Sequence, residues 1–220
     1  MAVLTISRQF GAGGRTLGVR LCERFKYHLV DASVIDELAR NDKISADWLV
    51  AMEKEASSAM LRLISSVVSS GIFYRTPAAP GEEFERKKYI AFLSRIMNSM
   101  ANEGGYVLVG RGSQLVLKDH PRALHILLVG EAKERVEFLV RHYDLSPAAA
   151  EELIREKEKQ RAAVAANIFG INIDDPSLYH VILNTSRIRF DRVVELVADL
   201  LVRFMKQIGE IPPFDFRQDV

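Results

Sequence analysis

The sequence predicts a three-layer α/β fold built on a parallel sheet of about five strands. Short apolar runs alternate with segments of helical periodicity along most of the 220 residues, an order typical of strands joined by crossover helices. Residues 106–109 and 124–129 are almost entirely apolar, as expected of parallel strands covered by helices on both faces. A glycine-rich turn at residues 11–14 separates the first strand from the first helix.

The beginning of the chain predicts two strand–helix units. Residues 2–7 form a short apolar strand, and the apolar positions of residues 15–27 fall at helical spacing. A second short strand over residues 27–30 ends at Asp31, and residues 32–40 again show helical spacing. Together they make a β-α-β-α stretch.

The middle of the chain carries no strand pattern. Two long helical patterns cover about residues 47–70 and 82–103, so we predict a helical insertion at about residues 41–104 that covers one edge of a cleft. The apolar residues of positions 58–100 exceed what a small insertion buries easily. This excess favours a homodimer formed through these helices.

The last third of the chain returns to alternating elements. A helix is predicted over residues 132–142, and Ser146 followed by Pro147 is a strong start signal for another that continues to residue 166. We expect this second helix to belong to a mobile lid at about residues 144–178. A strand over residues 179–183 and a helix over residues 190–207 complete a single domain, residues 1–220.

Composition excludes several classes of protein. Hydrophobic residues make up 48% of the chain, enough for one substantial core, which excludes a disordered chain. Lys and Arg total 30 against 29 Asp and Glu, so no global positive field favours a nucleic acid or a membrane as partner. The single Cys22 excludes an internal disulfide. Without a signal-peptide pattern or an uncharged stretch of about 18 residues, we expect a cytoplasmic protein.

The glycine-rich turn is the strongest candidate for a binding site. Gly11, Ala12, Gly13 and Gly14 stand between the end of a strand and the start of a helix, where free N–H groups and the helix dipole attract an anion. Glycine also lets a phosphate approach the backbone closely. The cation that follows, Arg15, favours phosphate binding over the alternative of a tight turn without a ligand.

Five segments of the chain, taken in order, resemble the cytidylate kinase-like family, relatives of bacterial cytidylate kinase in the nucleoside monophosphate kinase group. The segment TISRQFGAGGRTLG is similar to a degenerate form of the family's phosphate loop. Residues 27–31 resemble the family's second strand with its aspartate, and residues 109–112 resemble its Gly-Arg segment. Residues 155–161 resemble the lid helix, and residues 183–186 resemble the closing Asn-Thr-Ser strand end.

The resemblance implies a P-loop NTPase-type core with a helical insertion that binds the nucleoside monophosphate and a lid. It implies an enzyme that moves the γ-phosphate of ATP to a nucleoside monophosphate such as CMP or dCMP, or to a similar small phosphorylated acceptor, with Mg²⁺ bridging the donor phosphates. On the same grounds, Arg111 holds the acceptor phosphate, and Arg155 and Arg161 clamp phosphates from the lid.

Each candidate residue also has a plainer interpretation. Arg111 follows an apolar strand at the sheet edge where ligands of α/β sheets bind, but a structural salt bridge is equally open. Arg155 and Arg161 lie in a charge run typical of a solvated helix face. Asp31 suits either a ribose, base or metal contact or the N-cap of the next helix. Thr16 either coordinates Mg²⁺ through its hydroxyl or is an ordinary residue of the first helical turn.

The loop lacks the lysine of a regular phosphate loop in either of two registers. If residues 14–16 end the motif, Arg15 stands in the lysine's place, whereas in the register that the resemblance implies that place falls on Gly14. Because backbone N–H groups alone leave the charge of phosphoryl transfer poorly neutralised, we predict that Arg15, and with it Arg8, points at the donor phosphates. The rival hypothesis is a non-catalytic nucleotide sensor or interaction protein, in which loss of the lysine has left binding without turnover.

Overall fold

The structure is a computed structural model that describes residues 1–41 and 82–212. The strands of this part of the chain are β1 (Val3–Arg8), β2 (His28–Val30), β3 (Tyr106–Val109), β4 (Ala123–Val129) and β5 (Val181–Asn184). Its α-helices are α1 (Gly14–Phe25), α2 (Ala32–Asn41), α3 (Glu82–Glu103), α4 (Ser113–Val116), α5 (Ala132–Tyr143), α6 (Pro147–Val164) and α7 (Phe190–Gln207). A π-helical turn (Ala165–Phe169) extends α6, and a 3₁₀ turn (Pro176–Leu178) precedes β5.

The five strands form one parallel sheet in the order β2-β3-β1-β4-β5. The central strand β1 pairs with β3, where Leu4 lies opposite Val107, and with β4, where Ile6 lies opposite Ile126. The predicted parallel α/β fold is therefore confirmed. Because every strand runs the same way, the loops that follow β1, β2 and β3 all lie at one edge of the sheet.

Helices cover both faces of the sheet, which gives the three predicted layers. Alternate residues of β1 point to opposite faces: Leu4 packs in a cluster with α1 and α7, whereas Val3 packs with Leu93 and Met97 of α3. These side chains are almost completely buried. Burying both faces explains why the strands read as continuous apolar runs.

Helices α5 and α6 pack on each other in a separate apolar cluster that includes Leu139 and Leu153. The Ser146-Pro147 start of α6 is confirmed: Ser146 Oγ accepts a hydrogen bond from the N–H of Ala149 at 3.3 Å, and Pro147 occupies the first helical position. Among the described residues, no helix is long and apolar enough to cross a membrane.

Several boundaries differ from the sequence prediction. The last strand begins at Val181, two residues later than expected, because the N–H of Tyr179 closes the 3₁₀ turn on Pro176 O at 3.1 Å. Helix α4 and the π-helical turn are not predicted at all, since each is too short to show a period. The helical pattern at residues 47–70 lies outside the described residues, as does most of the segment predicted to form a dimer.

Candidate functional site

The loop between β1 and α1 has the backbone of an anion site. Gly11 and Gly13 both have φ of +87°, a left-handed conformation that glycine adopts without strain. Gly13 is the N-cap of α1, without a side-chain cap, and the first helical hydrogen bond runs from Leu17 N to Gly13 O at 2.9 Å. The N–H groups of the first turn of α1 thus precede the helical ladder and suit a phosphate.

Packing also requires glycine in this loop. A Cβ atom on Gly14 would lie 2.8 Å from Cγ of Arg8, and one on Gly13 would collide with the ring of Phe190. The glycines therefore let the stem of Arg8 and the start of α7 approach the loop.

A second loop, residues 110–112, follows β3 at the same sheet edge. Gly110, Arg111 and Gly112 have φ of +82°, +55° and +67°, three left-handed residues in succession. For Arg111 this conformation costs on the order of 1–3 kcal/mol, a strain that is typical of functional positions. Hydrogen bonds from Gly110 N to Ile6 O at 3.0 Å and from Ser113 N to Gly110 O at 3.1 Å hold the loop.

The two glycine loops and helix α6 enclose one cleft, with a volume of about 610 Å³ as bounded by the described residues. The described cations that line it outnumber the carboxylates: Arg8, Arg15, Arg111, Lys157 and Arg161 against Asp31 and Glu158. The cleft is thus strongly cationic in a chain whose net charge is only +1. Such a local field suits an anionic ligand.

Arg8 lies between the two loops. Its stem packs on Gly14, and its guanidinium lies against Gly110. Burial, together with the charges of Arg111 and Arg161, lowers the pKa of Arg8 to about 10. Within the described part of the chain, its guanidinium forms no hydrogen bond or ion pair. A poorly solvated cation without a partner is stabilised when an anion binds beside it.

Arg161 reaches the cleft from helix α6. Its Nε and Nη2 donate to Glu158 Oε2 at 3.1 and 3.0 Å, and Nη2 also donates to Asp174 at 2.6 Å. Its Nη1 is buried and has no partner among the described residues. One face of this guanidinium is therefore held by carboxylates while a donor remains for a ligand.

The structure brings Arg155 to a different place. This side chain is 71% exposed, pairs with Glu152 on the same helix and does not line the cleft. The two predicted lid arginines thus face different surroundings, Arg161 inside and Arg155 outside.

Asp31 caps the start of α2 and also lines the cleft. Its Oδ1 accepts hydrogen bonds from Ser33 N at 3.0 Å and Ser33 Oγ at 2.6 Å at the start of α2, and its Oδ2 accepts from Arg15 Nε at 3.2 Å. Although burial acts to raise it, these hydrogen bonds hold the pKa of Asp31 below its ordinary value. Asp31 therefore caps a helix and lines the cleft as a carboxylate.

Arg15 is directed at Asp31 in this structure, and its side chain is 73% exposed. Thr16 is exposed and also lines the cleft. Mg²⁺ is commonly held by one or two protein oxygens together with substrate phosphates. Thr16 Oγ1 and the carboxylate of Asp31 fit that arrangement, and the described residues contain no group of three or more His, Cys, Asp or Glu that would form a metal cage.

Three site residues escaped the sequence prediction. Glu158 Oε1 accepts a hydrogen bond from the N–H of Phe10, directly before the glycine loop, and lies 3.5 Å from Arg135 Nη1. Gln114 lines the cleft, and its Nε2 donates a hydrogen bond to Tyr179, which lies behind it. The only available signal was the i,i+3 spacing of Glu158 and Arg161 on one helix.

The parallel sheet, with a glycine loop between its first strand and first helix, has the architecture of P-loop α/β proteins, although the loop lacks the usual lysine. The structure is similar to an uncharacterized protein from Eubacterium ventriosum, at 13% identity and a TM-score of 0.65, with 91% of this chain and 98% of that one covered. It is also similar to a sugar kinase from Janibacter sp., at 13% identity and a TM-score of 0.52. A gluconokinase from Sinorhizobium meliloti matches at 10% identity and a TM-score of 0.51. Both matches cover 94% of this chain and 95% of the other chain.

The chain belongs to the cytidylate kinase-like family, whose model matches residues 3–187. Family and fold together support a phosphotransferase of the kinase kind. A further relative, a uronate isomerase from Corynebacterium glutamicum, is 29% identical over 102 residues, which are 46% of this chain. The match covers only 20% of the length of that relative.

Proposed function

We propose that this protein transfers the γ-phosphate of ATP to a nucleoside monophosphate such as CMP or dCMP, or to a similar small phosphorylated acceptor. The observation that carries the proposal is the guanidinium of Arg8, which has no partner among residues 1–41 and 82–212 and lies between two glycine loops near Arg111 and Arg161. Two phosphates brought together in phosphoryl transfer repel each other and need such a concentration of positive charge.

The two glycine loops bind different phosphates in the proposed reaction. The N–H groups at the start of α1 and Arg8 hold the donor phosphates, and Arg111 holds the phosphate of the acceptor. An oxygen of the acceptor phosphate forms a bond to the γ-phosphorus while the bond to the leaving oxygen of ADP breaks. Arg161, between them, offers its remaining donor to the transferred group. Thr16 would hold Mg²⁺ together with the donor phosphates, and the ion would supply further neutralisation of charge.

Helix α6 supports a lid role for residues 144–178. It carries Arg161 and Glu158 over the glycine loop, so its closure excludes water from the transferred phosphoryl group. We keep Arg15 and Arg155 as catalytic candidates because the ion pair that each forms with a described residue is exposed and worth about 0–1 kcal/mol. Either side chain can therefore leave its partner for a phosphate at little cost.

A kinase assay across nucleoside monophosphates tests the proposal. Purified protein with ATP and Mg²⁺ is offered each monophosphate in turn, ADP formation is followed, and ATP binding is measured in parallel. We expect acceptor-dependent ADP formation that is lost in Arg161→Ala and retained in Arg203→Ala, an exposed arginine of α7 that pairs with Asp199 outside the cleft. Tight ATP binding without turnover on any acceptor would overturn the proposal in favour of a nucleotide sensor.

The proposal also includes a homodimer that forms through residues 58–100 and a cytoplasmic location. Light scattering at micromolar concentration tests the homodimer, and a monomeric mass would refute it.

A further inference from the structure

The side-chain amide of Gln114 is buried in the floor of the cleft with part of its hydrogen-bonding capacity unused. It lies on the short helix α4, directly after the Gly110–Gly112 loop, and is only 1% exposed. Its Nε2 donates to Tyr179 Oη at 3.3 Å. Its Oε1 is buried and has no partner among the described residues, although Gln114 lines the cleft.

The hydrogen-bond network determines which atom of this amide lacks a partner. The hydroxyl of Tyr179 has one proton, which it donates to the carbonyl oxygen of Ile173 at 2.6 Å. Towards Gln114 the hydroxyl can therefore act only as an acceptor, so the amide must present its N–H to Tyr179. The group left without a partner among the described residues is an acceptor, so a ligand that reaches it must bring a donor.

A phosphate is not that donor. Phosphate oxygens at neutral pH are acceptors and repel a carbonyl oxygen, whereas Arg8, Arg111 and Arg161 in the same cleft attract them. Gln114 lines the same cleft as these arginines and lies on the helix that directly follows the loop carrying Arg111, so the amide lies next to the cationic part of the cleft. The group that donates to Gln114 therefore belongs to the nucleoside part of the acceptor, to which the phosphate is attached.

We propose that Gln114 is a specificity-determining residue whose Oε1 accepts a hydrogen bond from an N–H or O–H group of the acceptor's nucleoside. The assignment rests on the proposed kinase function. We assign this donor to one of two groups, the amino group of the base or the 2′-hydroxyl of the ribose. A site with a buried hydrogen-bonding group rejects an analogue that lacks the matching donor, because the buried group then stays unpaired.

The test compares wild type with Gln114→Met, which keeps the length of the side chain and removes the acceptor. Values of kcat/KM and calorimetric Kd are measured for CMP, UMP and dCMP. CMP has an amino group where UMP has a carbonyl oxygen, and CMP has a 2′-hydroxyl that dCMP lacks. We expect wild type to favour CMP over UMP, or CMP over dCMP, by about 30-fold or more, and Gln114→Met to reduce that preference to about threefold or less. The KM for ATP should not change.

Two controls separate this role from a structural one. The melting temperature of Gln114→Met without ligand should hold or rise, because an apolar group replaces a buried acceptor that has no partner. A residue that only supports the fold would instead lower the melting temperature and reduce kcat/KM equally for all three acceptors. Ser113→Ala removes a neighbouring buried hydroxyl that also lacks a partner among the described residues but does not line the cleft. It should leave the preference unchanged.

The outcomes distinguish this assignment from the function on which it rests. If wild type binds or phosphorylates monophosphates but shows no preference in either pair, or if the preference survives in Gln114→Met, only the assignment of Gln114 is overturned. If wild type neither binds nor phosphorylates any monophosphate, the proposed function fails and the assignment fails with it.

Discussion

Replacing Arg8 with methionine should make the protein more stable without ligand and less able to bind one. The pKa of Arg8 is lowered to about 10 by burial and by Arg111 and Arg161. This value is roughly 2.5 pKa units below the ordinary one, so holding the cation costs on the order of 3 kcal/mol. Because the surrounding cleft is open to solvent, we discount this figure and expect a net gain of about 2 kcal/mol. Methionine keeps an apolar stem against Gly14.

Thermal melts and titration calorimetry check both halves of this prediction. A gain of about 2 kcal/mol corresponds to about 4–8 °C in a chain of this size. Loss of a charge-assisted hydrogen bond weakens ATP binding by about 1.5–3 kcal/mol, or about 10- to 150-fold in Kd. The matched control Arg203→Met removes an exposed arginine and should change neither quantity measurably. A lower melting temperature with unchanged ATP affinity would show that Arg8 is structural and refute the reasoning.

Three further predictions concern the loop, the lid and the core. Arg15→Ala should weaken ATP binding by about 1.5–3 kcal/mol in calorimetry and leave the melting temperature nearly unchanged, because its pair with Asp31 is exposed; a melting change with normal affinity would contradict this. Glu158→Gln should tighten ATP binding by about 1 kcal/mol, because a neutral amide competes less well for the N–H of Phe10, and an unchanged Kd would count against it. Burial, then His180, lowers the pKa of His125 to about 4, so the unfolded chain binds the proton more readily than the folded one. Urea unfolding should show stability falling by up to about 3 kcal/mol from pH 6.5 towards pH 4, and His125→Asn should flatten that dependence.

The fold was predictable because its signals are local and repeat along the chain. Helix α3 begins and ends at the predicted residues, and the Ser146-Pro147 signal marks the start of α6. The glycine loop is recognisable because few positions tolerate φ of +87° without glycine. These features depend on the residues of one segment and on few others.

The partners of the charged side chains were not predictable, because they depend on contacts between distant segments. Arg15 was expected to face the donor phosphates, but it pairs with an aspartate sixteen positions away, at the end of another strand. Gln114 meets Tyr179 only because α4 and the approach to β5 converge at the cleft. Whether Arg155 acts on a phosphate stays a prediction, since this side chain is exposed on α6 and does not line the cleft.

The packing of Arg8 constrains which residues its neighbours can become in the course of evolution. The aliphatic stem of Arg8 occupies the space that a side chain at position 14 would need. Its guanidinium occupies the space that a side chain at position 110 would need. An arginine at the end of β1 and a lysine at position 14 are therefore sterically incompatible. Related sequences should therefore carry either the arginine at the end of β1 or the lysine at position 14, but not both. Sequences with the arginine should also have glycine at positions 14 and 110. A search for phosphate loops by their lysine alone would overlook every protein that made this exchange.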